Sequence, residues 1–168
     1  ASLGRYTQPT NEGDVLIGPT VINANTGIGA GATEAHELGH NHGIWQANLL
    51  DCGANSLVLD PLGSGKCRNI EYGNKFSVMG HHWNMGHFSA SHQNEIGFFD
   101  PARGPETVLR ITSPGTYTIG AIENAGAGSK AIQIPRPDGT NVWVEYRRAL
   151  GFDARNFTNA DYDGAFVM

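Results

Sequence analysis

The run His36-Glu37-Leu38-Gly39-His40 sets two imidazoles four residues apart with a carboxylate between them. In a helix, four residues at roughly 100° each bring the second ring only ~40° round from the first and ~6 Å along the axis, so both can face one ion. Glu37 projects beside them. A carboxylate so placed can take a proton from a metal-bound water, while the metal acidifies that water and polarises a scissile carbonyl. Five residues of this kind also arise by chance in helices, so the surroundings carry the argument. Gly43 follows His40 by three residues and lets the chain turn sharply out of the helix. Further on, Ser77-Val78-Met79-Gly80 reads as a tight turn carrying a methionine. All 7 histidines fall between His36 and His92, together with both cysteines.

Together these features match the pattern H-E-x-x-H-x-x-G-x-x-H followed by a methionine turn. The strings HELGHNHGIW, ANLLDCG, EYGNKFSVMG, HFSASHQNEIGF and VWVEYRRALGFDA occur in that order. From residue 33 to about 155 the chain resembles the gametolysin-like zinc metallopeptidases of the metzincin group. The resemblance implies that His36 and His40 are zinc ligands, that Glu37 is the catalytic acid and base, and that Met79 lies beneath the metal. It also implies an α+β fold, a partial metzincin catalytic domain with its active-site helix and Met-turn followed by a β-rich C-terminal region. Only 35 residues precede His36, so the N-terminal subdomain is expected to be incomplete. The chain is expected to be a fragment of a longer protein, a processed product being the other option.

One position departs from the pattern. The third ligand, His or in some relatives Asp, falls on Gln46, whose neutral amide is a poorer zinc donor than imidazole or carboxylate. His42 lies ~240° round the helix from His36 and faces elsewhere. His81, His82 and His87 follow the methionine turn and are candidates to approach the metal, although loop histidines are more often hydrogen-bonded surface residues.

The elements that must position these side chains are legible in part. Val15-Leu16-Ile17 and Val21-Ile22, divided by Gly18-Pro19, read as short strands. The glycines of TGIGAGAT, residues 26–33, are followed by no Gly-Lys-Ser/Thr, so they read as a flexible lead into a helix rather than a phosphate loop. Thr33 as N-cap and Gly43 as left-handed terminator predict that helix over about 34–42. A second helix is predicted over about 90–98, with Ser89 or Ser91 as cap and Asp100-Pro101 as its end. Beyond residue 105 the segments TVLRIT, TYTIGAIE, KAIQI and NVWVEYRR alternate as strands, with Ile132, Ile134, Val142, Val144 and Tyr146 on one face of a hairpin. The expected division is therefore a catalytic region over 1–104 and a β-rich region over 105–168.

Composition supports a loop-rich protein. Glycine supplies 23 of 168 residues and charged residues only 16%, against a usual glycine share of ~7%. The net charge of −5 and the absence of a basic stripe argue against nucleic acid as partner. No stretch approaches the ~20 apolar residues that span a bilayer. Cys52 and Cys67 stand alone with 14 residues between them, which in an exported protein reads as one disulfide worth on the order of 3 kcal/mol. Two buried thiols in a cytosolic chain are the alternative, and a structural Cys2His2 zinc site is a weaker one. Trp45 and Trp83 bracket the site and could line a cleft, although buried core tryptophans are commoner.

The leading expectation is a secreted zinc metalloendopeptidase that cuts extracellular or cell-wall proteins and is impaired by Gln46. Two binding functions compete with it: a catalytically inactive relative that holds a protein or matrix partner, and a sugar- or matrix-binding module after residue 106.

Overall fold

The computed structural model describes residues 6–11, 13–18, 30–54, 67–81, 86–155, 157–158, 161–162 and 164–168. Val21-Ile22, His82, Trp83 and residues 55–66 between the cysteines lie outside them.

Two small hairpins come first in the chain. Strands β1 (Tyr6–Thr10) and β2 (Gly13–Ile17) pair antiparallel, as do β3 (Leu49–Asp51) and β4 (Arg68–Ile70). A disulfide joins Cys52 to Cys67 just past the ends of the second pair. Between the two hairpins runs helix α1 (Ala30–Asn41), and helix α2 (Ala90–Glu95) follows later. The second half holds a four-stranded sheet of β5 (Glu106–Arg110), β6 (Gly128–Pro135), β7 (Asn141–Tyr146) and β8 (Ala165–Val167) in that order. Its first pair is parallel and the other two are antiparallel.

The expected α+β fold, a partial metzincin catalytic domain followed by a β-rich region, is thereby corrected. Among the described residues there are eight strands and two α-helices, which make a small β-rich domain and not a metzincin catalytic domain. The physical reason lies in the segments themselves: among the described residues α1 is the one helix longer than two turns, and most other segments are short apolar runs cut by glycine and proline, which favour strands and turns.

Local expectations fare unevenly. Helix α1 starts at Ala30, so Thr33 sits inside it and caps nothing; the small residues Ala30-Gly31-Ala32 extend the helix back from the expected start. Gly43 does terminate it, with φ +94°. Helix α2 ends at Glu95, where Gly97, at φ +81°, turns the chain. TYTIGAIE forms no strand and contributes only a single bridge from Ala121 to Tyr146.

The hairpin β6–β7 sets Ile132 opposite Val144 and Ile134 opposite Val142, so these residues share one face as expected. Yet the opposite face is the buried one. Ala131, Trp143 and Glu145 point inward, and Ala131 and Trp143 pack with Ala90, Phe99 and Ile122. A second apolar cluster of Ala32, Ile44, Ala47, Val78 and Met79 lies beneath α1.

A buried ion network joins the two halves. Arg147 is 0% exposed, its Nε donating to Glu145 Oε1 at 2.6 Å and its Nη1 to Asp153 Oδ2 at 3.2 Å. The same guanidinium donates to the carbonyls of Phe76, His87 and Phe88. Glu145 in turn accepts the Ala90 N–H at 2.6 Å. Phe76, just before the methionine turn, and His87 and Phe88, after it, are thus fastened to the sheet. Phe76 adds aromatic contacts with Phe157, Tyr162 and Phe166 at centroid distances of 5.1, 5.3 and 4.6 Å.

Candidate metal centre

Helix α1 turns Ala32, His36 and Gly39 toward the interior, a spacing of about one helical turn that defines one face. His40 follows His36 by one turn at half-burial. Their rings stand 4.7 Å apart and nearly perpendicular, and their Nε2 atoms face each other at 3.1 Å.

Both rings are oriented from behind. His36 Nδ1 lies 2.8 Å from the carbonyl oxygen of Val78, and His40 Nδ1 lies 3.0 Å from that of Ile44. A carbonyl oxygen only accepts, so each Nδ1 carries the proton and donates it. In the neutral imidazole the lone pair then resides on Nε2. Two bare lone pairs 3.1 Å apart repel, and either a proton on one Nε2, donated to the other ring, or a metal ion between the two relieves that repulsion. On a tetrahedral zinc ion with bonds of ~2.05 Å, two nitrogens at the observed 3.1 Å would subtend about 98° at the metal. Backbone carbonyls behind metal-binding imidazoles are the usual outer-shell partners of such ligands. The residues present therefore fit a soft-to-borderline divalent ion.

Met79 is fully buried directly under the helix. A Cβ at Gly39 would come 2.4 Å from Met79 Sδ, so only glycine lets the methionine approach this turn of α1. The turn itself is closed by Gly80 N–H to Ser77 O at 2.9 Å and by Met79 N–H to Ser77 Oγ at 3.2 Å. Ala47 N–H donates to Met79 O at 2.8 Å, which brings the segment carrying Gln46 alongside. Gln46 is half-buried, and its Nε2 donates to Tyr72 Oη at 3.5 Å, while the Tyr72 ring lies 5.9 Å from that of His36. Gln46 and His36 thus meet a common neighbour. Glu37 is half-buried on the same helix.

Other candidates disperse. His42 and His81 are exposed, and Trp45, at 77% exposure, is not a core tryptophan. His87 Nδ1 lies 3.3 Å from Asp153 Oδ1. His92, on α2, was not singled out by any spacing rule. Burial, and to a lesser degree repulsion from His40 when that ring is protonated, push its imidazole down to about 4. No local pattern in ASHQNE distinguishes it.

Among the described residues, one group of three His, Cys, Asp or Glu side chains gathers its ligand atoms within 4.8 Å, namely His87, Glu123 and Asp153. It does not fit a metal. Asp153 Oδ1 accepts the His87 N–H at 2.8 Å and Oδ2 accepts from the Arg147 guanidinium, whose charge would repel a divalent ion. Burial and the neighbouring Asp153 carboxylate push Glu123 up to about 8. Burial would also raise Asp153, but the hydrogen bonds of His87 and the Arg147 charge hold it below the usual carboxylate range.

It follows that no third His, Cys, Asp or Glu joins His36 and His40 within that distance among the described residues. No family model, curated protein or solved structure matches this chain. No helix among the described residues is long and apolar enough to cross a membrane.

Proposed function

We propose that this chain is a zinc-dependent metalloendopeptidase, hydrolysing peptide bonds of extracellular or cell-wall proteins with an activity limited by Gln46. One observation carries the reading: two imidazoles, each locked by a backbone carbonyl, aim their Nε2 lone pairs at a common point 3.1 Å across. The ordered strings that resemble gametolysin-like peptidases support it, and the disulfide between Cys52 and Cys67 is in keeping with an exported protein.

In this reading His36, His40 and the side-chain amide oxygen of Gln46 would hold the ion. Bound zinc would supply a Lewis acid that polarises the scissile carbonyl and acidifies the attacking water. Glu37 takes the proton from that water at its carboxylate and delivers it to the leaving amine nitrogen. Val78 O and Ile44 O keep the protons of the imidazoles on Nδ1, so that both ligand atoms stay available. Met79 fills the space under the helix turn between the ligands as an apolar support.

The amide of Gln46 is the weak point, because a neutral oxygen holds zinc less firmly than imidazole or carboxylate. That residue, with no further ionisable donor at the pair among the described residues, favours a second reading: an inactive domain that binds a protein or matrix partner. Elemental analysis after purification without chelator, joined to a peptide-cleavage assay, separates the two. Gln46→His is expected to raise both zinc affinity and cleavage rate about tenfold or more. No zinc in the presence of excess metal would overturn the peptidase reading. Zinc binding with no cleavage by either variant would leave the binding domain.

A further inference from the structure

Tyr72 is the one non-glycine residue with positive φ, +56°, among the described residues. A bulky side chain occupies that region only when its surroundings impose it, and such outliers gather at functional sites. Here the surroundings are visible. The Tyr72 N–H donates to Asn48 Oδ1 at 3.1 Å, and Gly73 N–H closes a turn onto Ile70 O at 3.1 Å. A Cβ on Gly73 would come 2.4 Å from Leu49 Cβ, so the turn is pressed against the segment that follows Gln46. Asn74 N–H to Ala47 O, at 3.1 Å, continues the pairing. The result sets the tyrosine between two elements, with its ring 5.9 Å from the His36 ring and its hydroxyl oxygen 3.5 Å from Gln46 Nε2.

The chemistry of an amide makes this contact consequential. Its oxygen has lone pairs for a metal, whereas its nitrogen only donates protons. An unrestrained glutamine presents either end with similar ease. Resting on the zinc reading above, we propose that Tyr72 is a positioning residue for Gln46: its phenol oxygen accepts the Nε2 proton and leaves Oε1 as the amide atom offered to the ion held by His36 and His40. The strained backbone at Tyr72 is the cost of holding the phenol there. It also explains how a glutamine can serve at this position, since an imidazole or carboxylate would need no such lock.

The test is a Co2+ titration of the metal-free protein, followed by the visible absorption of the bound ion, for the parent protein, Tyr72→Phe, Gln46→Ala and the double variant. The Phe variant keeps the ring, and Tyr72 is partly exposed, so folding is not at stake; circular dichroism confirms this. Because the hydrogen bond is long, Tyr72→Phe should weaken cobalt binding about three- to tenfold. It should also move the spectrum toward that of Gln46→Ala and add nothing in the Gln46→Ala background. An unchanged affinity and spectrum in Tyr72→Phe, or an equal loss in both backgrounds, overturns the assignment while the metal site stands. Parent protein that binds cobalt no better than a His36→Ala, His40→Ala double variant overturns the zinc reading itself and the proposal with it.

Discussion

Arg147 offers the most stringent check on how the site is held in place. Replacing it with Met keeps most of the side-chain volume and removes the charge. Two acids would then be left buried without their partner, Glu145 at 1% exposure and Asp153 at 0%. Three backbone carbonyls, of Phe76, His87 and Phe88, would also lose a guanidinium donor. Removing one side of a buried pair costs about 3–5 kcal/mol, because the surviving charge stays desolvated. Whole domains are stable by only about 5–15 kcal/mol. With a urea slope of about 2 kcal/mol/M, a loss of ~4 kcal/mol moves the unfolding midpoint down by ~2 M. The assay is urea unfolding of the disulfide-intact protein, followed by far-ultraviolet circular dichroism. Adding Glu145→Gln and Asp153→Asn to Arg147→Met should recover part of the loss, since neutral amides cost less to bury than unpaired carboxylates. A midpoint shift below ~0.5 M for Arg147→Met alone would refute the claim that this network fastens Phe76, His87 and Phe88 on either side of the methionine turn.

Two further outcomes follow from particular contacts. Gly39→Ala gains about 1 kcal/mol of helix propensity, but the new methyl group would sit 2.4 Å from Met79 Sδ and 3.1 Å from Ile44 Cδ1 in a fully buried site; overpacking costs ~1–3 kcal/mol. A net destabilisation with weaker zinc binding is expected in thermal melts and metal titration, and a rise in melting temperature would show that Met79 yields freely. Glu123 carries a carboxyl raised from its ordinary 4.5 to about 8, so its contribution to stability is fully present below pH 4.5 and is lost as the pH rises to about 8. Glu123→Gln, which resembles the neutral acid, should flatten that decline in urea midpoints measured across the same window, and an identical slope in both proteins would contradict the buried neutral form.

Much of the His36 and His40 pairing was legible in the chain because its determinants are local. The four-residue spacing of His36 and His40 faces both rings one way as soon as the segment is helical, and Gly43 supplies the left-handed residue that ends the helix. The hairpin of β6 and β7 was equally local, with alternation on both sides of Pro137-Asp138-Gly139. What the sequence could not decide was which face of that hairpin is buried. Alternation marked Ile132, Ile134, Val142 and Val144, yet the interior side carries Glu145, whose charge is tolerable there only because Arg147, arriving from the same strand's end, meets Asp153 and three carbonyls of a distant loop. TYTIGAIE had strand-like composition but found only one bridge, since a strand needs a neighbour in register and composition does not supply one. The architecture as a whole went the same way, toward a small β-rich domain instead of the expected α+β fold. At the site, tertiary structure alone placed Val78 O behind His36, 42 positions away, and Tyr72 against Gln46, 26 positions away. Such contacts are set by how the chain returns to α1, a property of the packed whole that no local spacing records.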